Sequence, residues 1–293
     1  MQTPKIIFFG NEQLAQGIKP ATPIFDALIA HHYQICGVIL TNANTRQPFK
    51  IATVAAAHQV PVFYSKNSTE ISDIIAQLQP DVGVLAAFGK IVPSSIIDAL
   101  PLGILNIHPS LLPAYRGTTP IETALLNNDA FTGVSLMRLV KAMDAGPILG
   151  QQRVEITPTT TKQSLYEQLS TAGANLLIDA LAKIQSGTLT DTAQDESNAT
   201  FTAQLNKTMS MLDPTAKSAD VLSREIIAYA GFPKSKYRYF DISCTITDAH
   251  VADNKVTELD LRCKDGKFLV IDQLIPENSK KMTAQSFLNG RHL

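Results

Sequence analysis

Six short, nearly unbroken apolar runs occupy the first 140 residues: KIIFF (5–9), ICGVIL (35–40), VPVF (60–63), DVGVLAA (81–87), GILNIH (103–108) and VSLMRLV (134–140). Runs of this length without polar alternation suit strands covered on both faces, as in a parallel sheet. Helix candidates lie between them at 23–32, 51–58, 70–78 and 120–127. Pro23 and Pro120 open two of these, at the position where a missing N–H costs nothing. Such strand–helix alternation restricts the first half to a doubly wound α/β fold. Leu165, Leu169, Ala172, Leu176, Ala180 and Ile184 then recur at helical spacing over 162–185, and Gly187 follows as a C-cap.

The pattern changes beyond that helix. TLTDTAQDESNAT (188–200) is polar and aperiodic, and reads as a linker or surface strap. A helix is predicted near 218–229, followed by the short β-like runs KYRYFDI, CTITDAHVA, VTELDLRCK and KFLVIDQLI. Asp265-Gly266 between the last two is a strong hairpin signal. Several short strands in so little chain suggest a small barrel or sandwich, with an OB-like β-barrel the expected form. A length of 293 residues also suits two units. The expected division is 1–187 for an α/β domain, 188–202 for a linker and 203–293 for the β-barrel-like domain.

Charge excludes a general nucleic-acid binder, since residues 1–187 carry 12 basic and 12 acidic groups and 188–293 carry 13 and 14. Any RNA affinity must be local. Cys36, Cys244 and Cys263 form no CxxC pair, so neither a disulfide framework nor a zinc ribbon is supported. The opening MQTPKIIFFGN is too weakly apolar for a signal peptide, and no run approaches a membrane span. A cytoplasmic chain is expected.

The run GILNIHPSLLP (103–113) ends in polar groups where a core strand should stay apolar. Asn106 and His108 alternate onto one face, and Pro109 stops the ladder. Sites in open α/β sheets form outside the carboxyl ends of strands. Asp144, in KAMDAGPIL after the 134–140 run, falls at the same edge. A lone histidine at a strand end is more often a satisfied surface residue, and an aspartate in a turn is more often only that. Their convergence favours a site. No close metal-ligand spacing accompanies them, so no metal is implied. GNEQLA (10–15) has Glu12 and Ala15 at the second and third positions of a G-x-G-x-x-G fingerprint, which argues against a dinucleotide-dependent oxidoreductase.

NIHPSLLPAYRGTTPIETALLNND followed by TGVSLMRLVKAMDAGPIL resembles the folate-dependent formyltransferases, with their Rossmann-like catalytic domain. The stretches SADVLSREIIAYAGFPKSK and KKMTAQSFLNG (280–290) resemble the methionyl-tRNA branch of that family. The resemblance implies formyl transfer from 10-formyltetrahydrofolate to methionyl-initiator tRNA, by a monomer. By position, Asn106 and His108 would hold the oxyanion and Asp144 would orient His108. Ser110, Leu111, Leu112 and Pro113 would line the folate pocket with Phe88, Gly89 and Ile91, residues 139–143 would add to it, and Arg116 would line the cleft. Sugar-nucleotide N-formyltransferases and formyltetrahydrofolate hydrolases share the Asn/His/Asp set and remain alternatives, as does an RNA-binding module with a dead site. The long, basic, glycine-rich loop of the tRNA branch is reduced here to TNANTRQPFK (41–50), with only Arg46 and Lys50. Lys234, Lys236 and Arg238, interleaved with aromatics in FPKSKYRYF (232–240), are the candidates to share the tRNA grip; seven acids between 241 and 272 argue that most of this region does not face RNA.

Overall fold

The computed structural model describes residues 3–41 and 49–290. The apolar runs become β1 (Ile6–Phe9), β2 (Ile35–Leu40), β3 (Val62–Tyr64), β4 (Val82–Leu85), β5 (Ile104–His108) and β6 (Phe131–Arg138). A strand not predicted, β7 (Ile148–Glu155), follows. The helices are α1 (Pro23–Ala30), α2 (Lys50–Ala57), α3 (Ser68–Leu78), α4 (Ser94–Ile97), α5 (Pro120–Leu126) and α6 (Lys162–Ser186). The strands form one sheet in the order β3-β2-β1-β4-β5-β6-β7. The first five run parallel, while β6 and β7 are each antiparallel to the strand before.

Both faces of the parallel part are covered. Ile6 and Phe8 enter an apolar cluster with α1 and α6, and Ile7 and Phe9 enter a second with α3 and α4. A strand buried on both sides has no polar face, which is why these runs lack alternation. Strand order reverses between β1 and β4, the topology that opens a crevice at the carboxyl ends.

Two local devices fix the frame. Helix α6 begins at a Thr161–Ser164 capping box and ends at Gly187, whose φ of +70° suits the left-handed cap. Its buried face is wider than the predicted stripe, because Leu177 and Leu181 are fully buried while Leu176 is only partly so. Glu12 is fully buried, and its Oε2 and Oε1 accept the N–H groups of Ile24 and Phe25 at 2.9 and 2.7 Å. It thus caps α1 from outside the helix. Burial pushes its carboxyl pKa up to about 8, against the opposing pull of those two N–H bonds.

The second region holds α7 (Ala219–Ala228), β8 (Ser235–Tyr239), β9 (Ile242–Ala252), β10 (Leu261–Arg262), β11 (Phe268–Pro276), β12 (Met282–Thr283) and α8 (Ala284–Asn289). Its antiparallel sheet has the order β10-β11-β9-β8, with β12 on β11. Asp265 and Gly266 make the β10–β11 turn, with Gly266 at φ +82°. Register shifts between β9 and β11 near Gln273 mark a bulge, which bends and twists paired strands. The result is a half-barrel, with no pairing between β10 and β8 among the described residues.

Helix α7 joins the two regions. Ala219, Leu222 and Ile226 belong to the core of the second sheet, and Ala228 and Tyr229 to that of the first. At the same junction the Lys162 ammonium lies 2.8 Å from Glu122 and donates to the Ala230 carbonyl at 3.1 Å. Lys162 and Glu122 are 1% and 2% exposed at the side chain.

Candidate active site

On β5, Leu105 and Ile107 face the α1–α6 cluster, and Ile104 faces the α3–α4 cluster. Asn106 and His108 continue the Ile104 side past the end of its apolar cover. Both are nearly buried, at 6% and 5% exposed. The Asn106 amide has no hydrogen-bond partner among the described residues, so it is available to a ligand. His108 has one nitrogen committed: Nε2 lies 2.9 Å from the Tyr115 carbonyl, which can only accept. Nε2 therefore carries the hydrogen. Nδ1 faces Asp144 Oδ1 at 3.7 Å, beyond hydrogen-bond length. Asp144 Oδ2 accepts the Gly117 N–H at 2.8 Å. The three predicted groups thus meet at one edge, with Asp144 in left-handed backbone at φ +49°.

The loop after β5 is tied from below. The Ser135 hydroxyl, fully buried on β6, accepts the Leu112 N–H at 3.0 Å and donates to the Ser110 carbonyl at 2.7 Å. Gln151 on β7 donates to the Leu112 carbonyl and to Ser135. The Ser110 hydroxyl is itself committed to the Ala114 carbonyl at 2.6 Å. Leu111 packs over Gly133, and the Leu112–Pro113 peptide is cis.

Residues 188–202 cross this edge as a strap. Thr192 bridges to Ile148 at the start of β7, and Asp191 pairs with Arg138 at the end of β6. Arg116 is buried beneath the strap at 2% exposed. Its guanidinium makes a bidentate pair with Glu196, at 2.8 and 2.7 Å, and its Nε and Nη2 donate to Gln194 Oε1 at 3.2 and 2.7 Å. The Glu196 contact pushes the guanidinium pKa further up. Arg116 thus anchors the strap, and its donors are turned to Gln194 and Glu196. Among the described residues no group of three or more His, Cys, Asp or Glu could hold a metal ion.

Against known proteins, residues 27–181 match the formyl transferase family. Similarity also runs along the whole chain to the methionyl-tRNA formyltransferase of Lactiplantibacillus plantarum, 32% identical over 97% of this chain and 95% of the relative. The chain belongs to this family. The counterpart from Chloroflexus aggregans is 38% identical over 79% of this chain and 75% of its own length. Among solved structures, the sugar 3N-formyl transferase WlaRD superposes with a TM-score of 0.68 at 18% identity, covering 96% of this chain and 100% of its own. HypX from Aquifex aeolicus, solved with tetrahydrofolic acid, gives 0.71 at 14% identity over 98% of this chain, which spans 47% of HypX.

In this formyltransferase, the stretch after β4 runs beside Asn106, because Leu85 pairs with Asn106 across the sheet. Phe88 there is buried edge-on against Phe9, Gly89 sits at φ +72° with open space around it, and Ile91 is 91% exposed. Met143, beside Asp144, is also exposed. The predicted basic residues are scattered. Lys50 opens α2 and is exposed, and Arg46, with most of its loop, lies outside the described residues. Lys236 and Arg238 share the outer side of β8, with Lys234 exposed just before it. Tyr239 points inward and is buried in the core, with Tyr237 packed against it, so Tyr239 offers no stacking surface. Ser135, Gln151 and Gln194 were not predicted as part of the site. No helix among the described residues is long and apolar enough to cross a membrane.

Proposed function

We propose that this chain transfers a formyl group from 10-formyltetrahydrofolate to the amino group of methionine on initiator tRNA, in the cytoplasm. The observation that carries this reading is that similarity to methionyl-tRNA formyltransferases extends over 97% of the chain, through the strap and the second sheet. Residues 1–187 would do the chemistry and 203–293 would hold the acceptor. The amine nitrogen attacks the formyl carbon and the carbonyl oxygen takes up negative charge. The carbon–nitrogen bond to the folate then breaks, the attacking nitrogen loses a proton and the folate nitrogen gains one. The unpaired Asn106 amide would donate to the developing oxyanion. His108 stands beside it, with Nε2 held by Tyr115 and Nδ1 turned to Asp144. A hydrogen bond across the 3.7 Å gap to Asp144 would need a hydrogen on Nδ1 as well as on Nε2, and a shortening on substrate binding of the kind catalytic hydrogen bonds often show. The donor fits the residues around it: Ile91 and Met143 offer exposed apolar surface beside a polar edge, and Gly89 leaves room.

An amino-sugar nucleotide is the second candidate acceptor, since WlaRD matches this fold end to end. Incubation with 10-formyltetrahydrofolate and either charged initiator tRNA, an amino-sugar nucleotide or no acceptor separates the readings. Formylmethionine is the expected product; formate released equally without acceptor would make the chain a hydrolase. His108→Ala, Asp144→Ala and Asn106→Ala should each lower turnover by about 100-fold or more while thermal melting stays close to wild type.

A further inference from the structure

We infer that Gln194 is a positioning residue for formyl transfer: its side-chain amide holds the Asp144 turn from above, which makes the strap part of the catalytic apparatus. This rests on the reading of Asp144 as a working group of the site. Three observations support it. Gln194 Nε2 donates to both the Asp144 and Gly146 carbonyls, at 2.8 and 2.7 Å. One amide therefore holds the two carbonyls on either side of Ala145, those of the 144–145 and 146–147 peptides. Its Oε1 is in turn held by the buried Arg116. Gln194 is also the one residue of 191–198 that is not exposed, although the stretch is otherwise polar and open to water.

The turn needs such a hold. Asp144 at φ +49° is in a conformation that a non-glycine residue keeps only when its surroundings impose it. On the other side of the turn, Gly146 lies so close to Arg138 that a Cβ would overlap its carbonyl oxygen. The turn is thus pressed onto the end of β6 from one side and bonded to Gln194 from the other. Gly117 fixes Asp144 Oδ2, and Gly117 follows Arg116, so one short segment holds both the carboxylate and the clamp. Loosening Gln194 frees the Asp144 backbone, and the carboxylate then drifts relative to His108. A misplacement of about 1 Å at such a distance costs on the order of 100-fold in rate.

The test compares Gln194→Ala, Gln194→Glu, Glu196→Gln and Asp144→Ala by kcat, both KM values, pH profile and thermal melting. Gln194→Ala should lower kcat by about 100-fold with the formyl-donor KM unchanged. Gln194→Glu keeps the size and the Arg116 partner but removes both donor hydrogens. Its kcat should fall likewise at neutral pH and recover relative to wild type toward acid pH, where a protonated carboxyl regains one donor. A merely structural role gives no such recovery. Glu196→Gln, which leaves the Gln194 bonds in place, should lose much less. Adding Gln194→Ala to Asp144→Ala should cost nothing further. Wild-type kcat in Gln194→Ala alongside an inactive Asp144→Ala overturns the clamp alone, and so does a kcat loss matched by a fall in melting temperature without acid recovery. Full activity in Asp144→Ala overturns the underlying reading instead.

Discussion

Two nearly buried cations, Arg116 and Lys162, hold the molecule together in different ways. Lys162 is sealed: its partner Glu122 is 2% exposed, and its remaining contact is a backbone carbonyl across the junction. Arg116 is equally deep, yet its partner Glu196 is 66% exposed, on a strap that lies over the site. A charge pair closed on both sides can only be made or broken with the fold, because either ion left alone would be uncompensated in the interior. A pair with one half in water strands only the buried half when it parts, and here Arg116 keeps the Gln194 Oε1 as a second acceptor. The first joins structure to structure. The second joins structure to chemistry.

Breaking the sealed pair should have the largest effect on stability. Lys162→Ala strands Glu122, whose Oε2 already has no partner. It should cost about 3–5 kcal/mol in urea unfolding, with kcat per folded molecule unchanged. Lys162→Met combined with Glu122→Leu should recover most of that loss; equal destabilisation in the single and double variants would show that the charges were not the issue. At the strap, the Gln194 series should show the converse, a loss of kcat with little loss of stability.

Glu12 extends the contrast to a buried carboxyl held by helix N–H groups. Its pKa is raised from 4.5 to about 8 in the folded state. The folded chain therefore keeps a proton that the unfolded chain gives up, and the stabilising contribution is whole below pH 4.5 and lost as pH rises to about 8. Stability measured across this window should fall with pH, and Glu12→Gln should flatten that slope. An unchanged slope in the variant would place the titration elsewhere. The smallest effect belongs to the cations on and just before β8. Neutralising Lys234, Lys236 and Arg238 together should raise the KM for tRNA without moving the folate KM. It should also reduce the salt slope by about 0.9 for each phosphate that those cations had neutralised. Identical salt slopes would leave that face solvated only.

The parallel strands were legible because burial on both faces leaves an unbroken apolar signature, and the Asn106–His108 pair was legible because it interrupts one. β7 was missed because it is an edge strand: Gln151, Gln152 and Arg153 are exposed, so its sequence lacks an apolar period. Glu12 could be read only as a missing glycine, since its helix lies beyond it in sequence and is capped by a side chain outside the usual capping position. Lys162 and Glu122 look like ordinary helix charges until α5 and α6 are packed. Gln194 gave no signal at all, because its partners are about 50 residues away in a different turn and nothing in a polar stretch marks one amide from its neighbours. The aromatic and basic interleaving at 232–240 was visible, but its two sides separate on folding, with Tyr239 turned into the core.

The path of the strap separates two boundaries that are usually assumed to coincide. A chain divided after Gly187 keeps every strand of the seven-stranded sheet but leaves Gln194 and Glu196 on the other piece. Shuffling second halves between formyltransferases at the end of α6 would therefore import a foreign strap along with a foreign second sheet, the proposed acceptor surface. Crossing over beyond Ala203, where the Thr119 hydroxyl ties down the end of the strap, would exchange the second sheet and leave the contacts around Asn106, His108 and Asp144 native. The boundary of the seven-stranded sheet and the boundary of the proposed reactive edge differ by the length of one polar stretch of chain.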